Sequence, residues 1–185
     1  MRSGKRSAAL WATSIEPATS WAGSVIAKKA PPRKDLFDLN NAVNEVIALA
    51  RGELAKHEVS VQIRLTNGLP PVRGDRVQLQ QVVLNLVLNA IEAMSSAGDG
   101  YRELLIGTEK NLAHGVLVAV RDSGPGLDTE TRDRVFEAFY TTEPSGLGLG
   151  LSIRRSIVHA HGGRLWAEAN QPPGAIFQFS TPVKP

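Results

Sequence analysis

The first regular pattern of apolar residues in the chain has the spacing of a helix. Apolar residues recur at helical spacing over 43–54, and Asp38 or Asn40 can cap the start of this helix. Apolar and polar residues then alternate strictly over 59–65. This second period predicts a strand with one buried face.

A second helix is predicted after a break at residues 67–71. Asp75 and Gln78 form a capping box at its start, and its pattern runs to about Met94. On a helical wheel one broad arc is apolar and is predicted to be core. It contains Leu79, Val82, Val83, Leu86, Val87, Ala90, Ile91 and Met94. The opposite stripe is polar and consists of Gln78, Gln81, Asn85, Asn89 and Glu92.

The remaining pattern predicts mostly strands. The predicted elements are strands at 103–109 and 115–121, a short helix from Asp128 or Thr129 through Phe136, a helix over about 149–161, and a hairpin of 164–170 with 175–181. About five strands without strict βαβ alternation indicate the α+β class, a two-layer sandwich with helices on one face.

Composition adds limits on location and domain number. The 185 residues fit one domain plus an appendage, with 42% apolar and 21% charged residues. No apolar run approaches the roughly 18 residues that a membrane helix needs. Cysteine is absent, which excludes disulfides and thiolate metal sites and predicts a reducing cytoplasm.

The positive charge is confined to the start of the chain. Residues 1–34 carry seven Lys or Arg against one Glu, a net charge of +6, whereas the whole chain carries +3. Residues 35–185 therefore carry a net charge of −3, which argues against binding to nucleic acid. Residues 1–34 show no sustained period, and we interpret them as a linker or a truncated remnant of a preceding element.

The amide stripe of the second helix has two possible readings. It can be a solvated face, or it can be a site for Mg²⁺, because an amide oxygen is a neutral ligand that does not repel a polyphosphate. Asn is a poor helix residue, and Leu84 and Leu88 flank the stripe. Both features favour a covered, functional face over an open one.

Two glycine-rich segments follow. Asp122-Ser-Gly-Pro-Gly126 comes directly after a predicted strand, so it can be a surface turn or a carboxylate that binds an exocyclic amine such as adenine N6. Gly146-Leu-Gly-Leu-Gly-Leu151 precedes a helix, so it can be a hinge or a phosphate-binding loop. The intervening residues 127–145 carry aromatic and cationic side chains. They can form a lid or pack on the core.

Together these motifs resemble the catalytic ATP-binding domain of bacterial sensor histidine kinases, whose fold is shared with gyrase, the Hsp90 chaperones and MutL. The motifs are Asn85-Leu-Val-Leu-Asn89-Ala-Ile-Glu92, Asp122-Ser-Gly-Pro-Gly126, Val135-Phe-Glu-Ala-Phe-Tyr-Thr-Thr142 and Gly146-Leu-Gly-Leu-Gly-Leu151. Residues 159–166 resemble the oxygen- and nitrogen-sensing subgroup. The resemblance covers residues 35 to about 184, so we take 35–185 as the kinase-like domain.

The resemblance implies a fold and a site. The fold is a five-stranded mixed sheet with three main helices on one face. Mg²⁺ is held by Asn89 and Asn85, and Asp122 binds adenine through N6. Gly124 and Gly126 shape the adenine pocket, and Gly146, Gly148 and Gly150 meet the phosphates. The wider ATP site also includes Glu92, Leu127, Phe139, Thr141, Thr142, Leu147, Leu149 and Leu151. The implied partners are a phosphoacceptor and dimerisation domain and, downstream, a response regulator.

The chain departs from the family pattern at two points. Glu143 stands where the subgroup has a lysine, which removes a cation near the lid. None of the four histidines lies in the family's phosphoacceptor setting, because His57 leads into the strand at 59–65 without the expected proline. Two alternatives stay open: a non-catalytic ATP-dependent binding module and a gyrase-type ATPase. The second needs a general base, and Asn85 occupies the place where those relatives have glutamate.

Overall fold

Seven strands and four helices form over the residues that the structure describes. The computed structural model describes residues 34–98, 100–111, 115–140, 150–170 and 173–183. The elements are β1 (Asp35–Phe37), α1 (Leu39–Lys56), β2 (Ser60–Leu65), β3 (Val72–Gly74), α2 (Arg76–Ser96), β4 (Glu103–Asn111), β5 (Gly115–Asp122), α3 (Thr129–Arg134), α4 (Gly150–Ala160), β6 (Arg164–Ala169) and β7 (Ala175–Thr181). The predicted linker or remnant lies outside these ranges, apart from Lys34.

Five strands build one mixed sheet in the order β2-β4-β5-β7-β6. β2 pairs with β4 in parallel, and the other three pairings are antiparallel. The mixed five-stranded sheet expected from the resemblance is therefore confirmed. The predicted hairpins are β4 with β5 and β6 with β7.

The core lies between one face of this sheet and helices α1, α2 and α4. Side chains alternate along the strands, and the buried set comes from the inner face of each strand. It includes Leu104, Ile106, Val116, Val118, Val120, Phe177 and Phe179. All eight residues of the apolar arc predicted for α2 are buried against this face. Among the described residues no helix has the length and apolar character needed to cross a membrane.

Two details differ from the sequence prediction. β1 and β3 form a separate two-stranded antiparallel sheet that the pattern did not predict, because three-residue strands are too short to show a period. The face of β2 that was expected to be buried is only partly covered, and Ile63 is 48% exposed. The reason is that β2 is an edge strand, paired on one side only.

α2 runs alongside β5 towards its carboxyl end. Its last turn reaches Ser123, whose hydroxyl lies 3.5 Å from Met94 Sδ, and Ser123 directly follows Asp122. Asp75 is the N-cap of α2, and its side chain accepts a hydrogen bond from the next turn. His161 Nε2 accepts from the backbone N–H of Asp75 at 2.9 Å. His161 therefore lies at the opposite end of α2 from Asp122.

α4 runs in the reverse direction to α2, against which it packs. In its second turn, the Arg155 guanidinium lies 5.8 Å from the ring centroid of Phe136. The Phe136 ring in turn meets Phe177 edge-on at 6.2 Å, and Phe177 pairs with Val120 of β5. α4 therefore begins near the Asp122 end of the sheet and ends beside the start of α2.

Candidate nucleotide site

Asp122 is a buried carboxylate at the end of β5, as its position after a predicted strand suggested. It is only 3% exposed, and its Oδ1 accepts hydrogen bonds from the N–H groups of Gly124 at 2.9 Å and Ala175 at 3.2 Å. Burial raises the pKa of the Asp122 carboxyl, and the two backbone hydrogen bonds act in the opposite direction. Within the described residues these bonds all end on Oδ1, which leaves Oδ2 available to an external donor.

The first glycine segment packs directly against α2. A Cβ on Gly124 would lie 2.9 Å from Asp122 Oδ1 and 3.5 Å from Ala93, so a side chain there would press on both the carboxylate and the helix. Gly126 has a φ of 86°, and a Cβ there would lie 3.0 Å from the carbonyl oxygen of Gly174. The segment is therefore a turn held between α2 and the β6–β7 connection. The turn reading and the site reading are compatible.

The two asparagines face away from the core arc of α2. Both are half-buried, and Asn85 Nδ2 donates to the carbonyl oxygen of Gln81 at 2.8 Å. This bond uses the amide nitrogen and leaves Oδ1 as a free acceptor. Asn89 lies one helical turn before Ala93, which contacts Gly124. The amide stripe therefore leads up to the buried carboxylate, with exposed Glu92 beside it.

The second glycine segment ends at the start of α4. Gly150 is its first residue, and Leu151 is half-buried against the core. Because α4 packs on α2 and begins near Phe136 and Phe177, its first turn lies at the same end of the sheet as Asp122. Gly146, Leu147, Gly148 and Leu149 lie outside the described residues, as do Thr141 and Thr142.

The segment between the glycine motifs is partly core. Phe136 is buried beside Phe177, so the packing interpretation holds for this residue. Leu127 is also packed, half-buried, against the core. Phe139 differs: it is 77% exposed and has a φ of 67°, which is unusual for a residue with a side chain. A contact between Phe139 and nucleotide stays a prediction.

Sequence reasoning missed the contribution of the β6–β7 connection. Ala175 supplies the second backbone donor to Asp122, and Asn170 Nδ2 donates to the Asp122 carbonyl at 3.3 Å. A Cβ on Gly174 would lie 2.1 Å from that same carbonyl oxygen, so this position must be glycine. A turn glycine between two strands was the available signal, but nothing local connects it to Asp122.

The donor set fits a magnesium nucleotide. Among the described residues, no group of three or more His, Cys, Asp or Glu could hold a metal on its own. A metal at α2 would instead take amide oxygens together with phosphate and water, which suits Mg²⁺. Two open cavities of about 490 Å³ and 450 Å³ lie elsewhere, and neither is lined by Asp122 or the asparagines. Among the described residues, Asp122, Gly124 and the late part of α2 lie together at the end of β5, and their joint use by a nucleotide stays a prediction.

The α+β sandwich and a candidate nucleotide site built from helix amides and glycine segments together define a class of ATP-binding proteins. Residues 74–185 match the family described as histidine kinase-, DNA gyrase B- and HSP90-like ATPase. The chain belongs to this family, and its described core is the ATP-binding catalytic domain of a sensor histidine kinase.

Named relatives agree with this assignment. The sensor histidine kinase TmoS of Ectopseudomonas mendocina is 37% identical over 86% of this chain and 16% of its own length. The sensor protein FixL of Bradyrhizobium diazoefficiens is 39% identical over 81% of this chain and 29% of its own length. This chain therefore spans less than a third of either relative.

Solved structures agree as well. The nucleotide-free catalytic domain of histidine kinase ThkA has a TM-score of 0.71 and 35% identity, covering 80% of this chain and 95% of that one. The structure of ThkA in complex with response regulator TrrA has a TM-score of 0.69 and 34% identity, and the match covers 82% of this chain and 42% of that one. The structure of full-length ShkA in complex with AMPPNP has a TM-score of 0.72 and 26% identity, and the match covers 83% of this chain and 32% of that one.

Proposed function

We propose that this domain binds Mg-ATP and delivers the γ-phosphoryl group to a histidine on a separate phosphoacceptor domain, in a two-component pathway that continues to a response regulator. The observation that carries the proposal is the buried Asp122 carboxylate, held through Oδ1 beside the amide stripe of α2. ATP, when bound, supplies the phosphoryl group. ShkA, a structural relative, was solved with AMPPNP, and ThkA with a response regulator.

Different residues along α2 and beside it bind different parts of the nucleotide. Asp122 Oδ2 accepts from the adenine amine, and the absence of a side chain on Gly124 keeps the space beside this carboxylate free for the ring. Asn85 and Asn89 would hold Mg²⁺ through amide oxygens, which add no negative charge beside the phosphates. The backbone N–H groups at the start of α4 face the phosphates. Phosphoryl transfer depends chiefly on such positioning and charge neutralisation.

The phosphoacceptor is supplied from outside the described residues. His57 Nδ1 is hydrogen-bonded to Ser95 Oγ at 2.9 Å, and His161 is buried with both ring nitrogens in hydrogen bonds. His159 is exposed on α4, outside the helical setting that the family uses.

A cytoplasmic location, predicted from the absence of cysteine, stays a prediction.

A gyrase-type ATPase is a weaker candidate. Its mechanism needs a general base to take a proton from water. Asn85 is an amide whose nitrogen is bonded to Gln81, and an amide cannot take that proton. We therefore expect slow hydrolysis without a phosphoacceptor.

Two measurements test the proposal. Calorimetric titration with AMPPNP, with and without Mg²⁺, should show binding that requires the metal. Incubation with radiolabelled ATP and an added phosphoacceptor domain from a relative should then yield acid-labile phosphohistidine. Binding without transfer to any of several added domains would favour the non-catalytic binding module. Failure to bind any adenine nucleotide would overturn the proposal itself.

A further inference from the structure

Arg154 is a half-buried cation on the inner side of α4, one turn before the fully buried Val158. Its Nε is buried without a hydrogen-bond partner, and no carboxylate within the described residues pairs with its guanidinium. Burial lowers the pKa of Arg154, because the charged form loses hydration. A partly desolvated guanidinium without a counter-charge costs stability. Packing alone therefore does not explain this residue.

The helix geometry places Arg154 on the side of α4 that faces α2. His161 follows seven residues later, which is about two turns, so the two side chains leave the helix in nearly the same direction. His161 contacts the N-cap of α2. Arg155 points about 100° away and contacts Phe136 instead. Of these two adjacent arginines, Arg154 is the one on the side of α4 towards α2.

The level of Arg154 along α2 follows from the antiparallel arrangement. Seven residues of helix span about 10 Å. Counting that distance forward from Asp75 brings Arg154 level with about Val82, one turn before Asn85. Helical side chains also lean towards the N-terminus of their own helix. The guanidinium of Arg154 therefore leans towards Asn85 and the start of α4.

This order matches the layout of a nucleotide. The carboxylate that contacts the base lies at the end of α2, beside Ala93. The proposed metal ligands Asn89 and Asn85 follow towards the start of the helix, and Arg154 lies beyond them. A triphosphate running from the base past the metal would present its last phosphate to this guanidinium.

We infer that Arg154 binds the terminal phosphate of ATP and makes the site prefer ATP to ADP. The inference rests on the proposed function. Guanidinium is suited to this role because it binds phosphate oxygens with two parallel N–H donors and stays charged even when burial lowers its pKa. Arg154 would supply this positive charge from the described part of α4.

Calorimetric titration of the full chain with AMPPNP, ADP and AMP in Mg²⁺ tests this assignment. We expect Arg154→Gln to weaken AMPPNP binding about tenfold or more, the scale of a lost charged hydrogen bond. ADP and AMP binding should change less than about twofold on the same scale. Arg154→Lys should restore part of the difference. Arg155→Gln is the matched control, because it removes the adjacent guanidinium, which lies on a different face of α4 against Phe136, and it should keep the parent preference.

The outcomes separate the two proposals. If the parent binds AMPPNP and Arg154→Gln weakens all three ligands equally, or none, Arg154 does not contact the terminal phosphate. If the parent binds no adenine nucleotide, the proposed function fails and this inference with it. Circular dichroism checks folding of each variant. Should the Gln variant not fold, the comparison of parent with Arg154→Lys decides, because an unchanged ratio of AMPPNP to ADP affinity would overturn the assignment.

Discussion

Replacing Asp122 by asparagine changes the hydrogen bonding of the proposed base-binding group while keeping its shape. The Oδ1 of asparagine can still accept from Gly124 and Ala175, as the carboxylate does. The amide nitrogen then occupies the place of Oδ2, and it is a donor only. The adenine amine is also a donor, so the favourable contact becomes a conflict between two N–H groups.

The expected loss is that of a hydrogen bond to a charged acceptor, about 1–3 kcal/mol, or roughly 5- to 150-fold in affinity. Folding should respond in the opposite direction. Because burial raises the pKa of Asp122, its ionised form at neutral pH costs stability relative to the unfolded chain. Asparagine carries no charge, so the variant should be at least as stable as the parent near neutrality. That advantage should vanish below the pKa of an unfolded aspartate.

Calorimetry with ATP and with GTP measures both strength and base preference. Guanine carries an oxygen acceptor where adenine has its amine, so the variant should lose ATP affinity while GTP affinity holds or rises. Asp35→Asn removes an exposed carboxylate on β1 and is the matched control. An ATP titration curve for Asp122→Asn that superimposes on that of the parent would remove Asp122 from the site.

Three further outcomes are expected. Asn89→Ala should abolish the magnesium dependence of ATP-analogue binding, whereas Val77→Ala, at an exposed position near the start of the same helix and outside the amide stripe, should preserve it; an unchanged metal response in the first variant would contradict the ligand assignment. Parent ATP affinity should fall as the pH drops through the raised pKa of Asp122, and calorimetry on the asparagine variant should lack this component; identical pH profiles would show that the carboxylate does not contribute. His161→Ala leaves the N–H of Asp75 without its acceptor and should destabilise the fold by about 1–3 kcal/mol in urea unfolding, whereas His159→Ala, exposed on the same helix, should change little.

The features that could be predicted from sequence are those with a local signature. Eight apolar residues at helical spacing define the buried arc of α2, because a helix places all of them on one side. Asp122 could be placed at a strand end because the strand before it has a clear apolar pattern. The motif order then supplied the family.

The remaining features depend on contacts distant in sequence. The N–H of Ala175 that fixes Asp122 lies 53 residues away and is a backbone group, so no side chain marks it. The approach of Gly124 to Ala93 depends on how the sheet and α2 pack. Ile63 is partly exposed because β2 lies at the edge of the sheet, and the alternation of apolar and polar residues along one strand does not reveal the order of strands.

The imidazole bridge between the rear of α4 and the start of α2 restricts how the front of α4 can move. His161 is bonded both to the N–H of Asp75 and to the carbonyl oxygen of Ile157, so any tilt of α4 that keeps these bonds must turn about this end of the helix. The 11 residues of α4 form a lever of about 16 Å. A tilt of roughly 10° about the pivot displaces Gly150 by about 3 Å, the length of one hydrogen bond. A small angular change at His161 would therefore become a displacement of about 3 Å at the end of the helix that we propose to meet the phosphates.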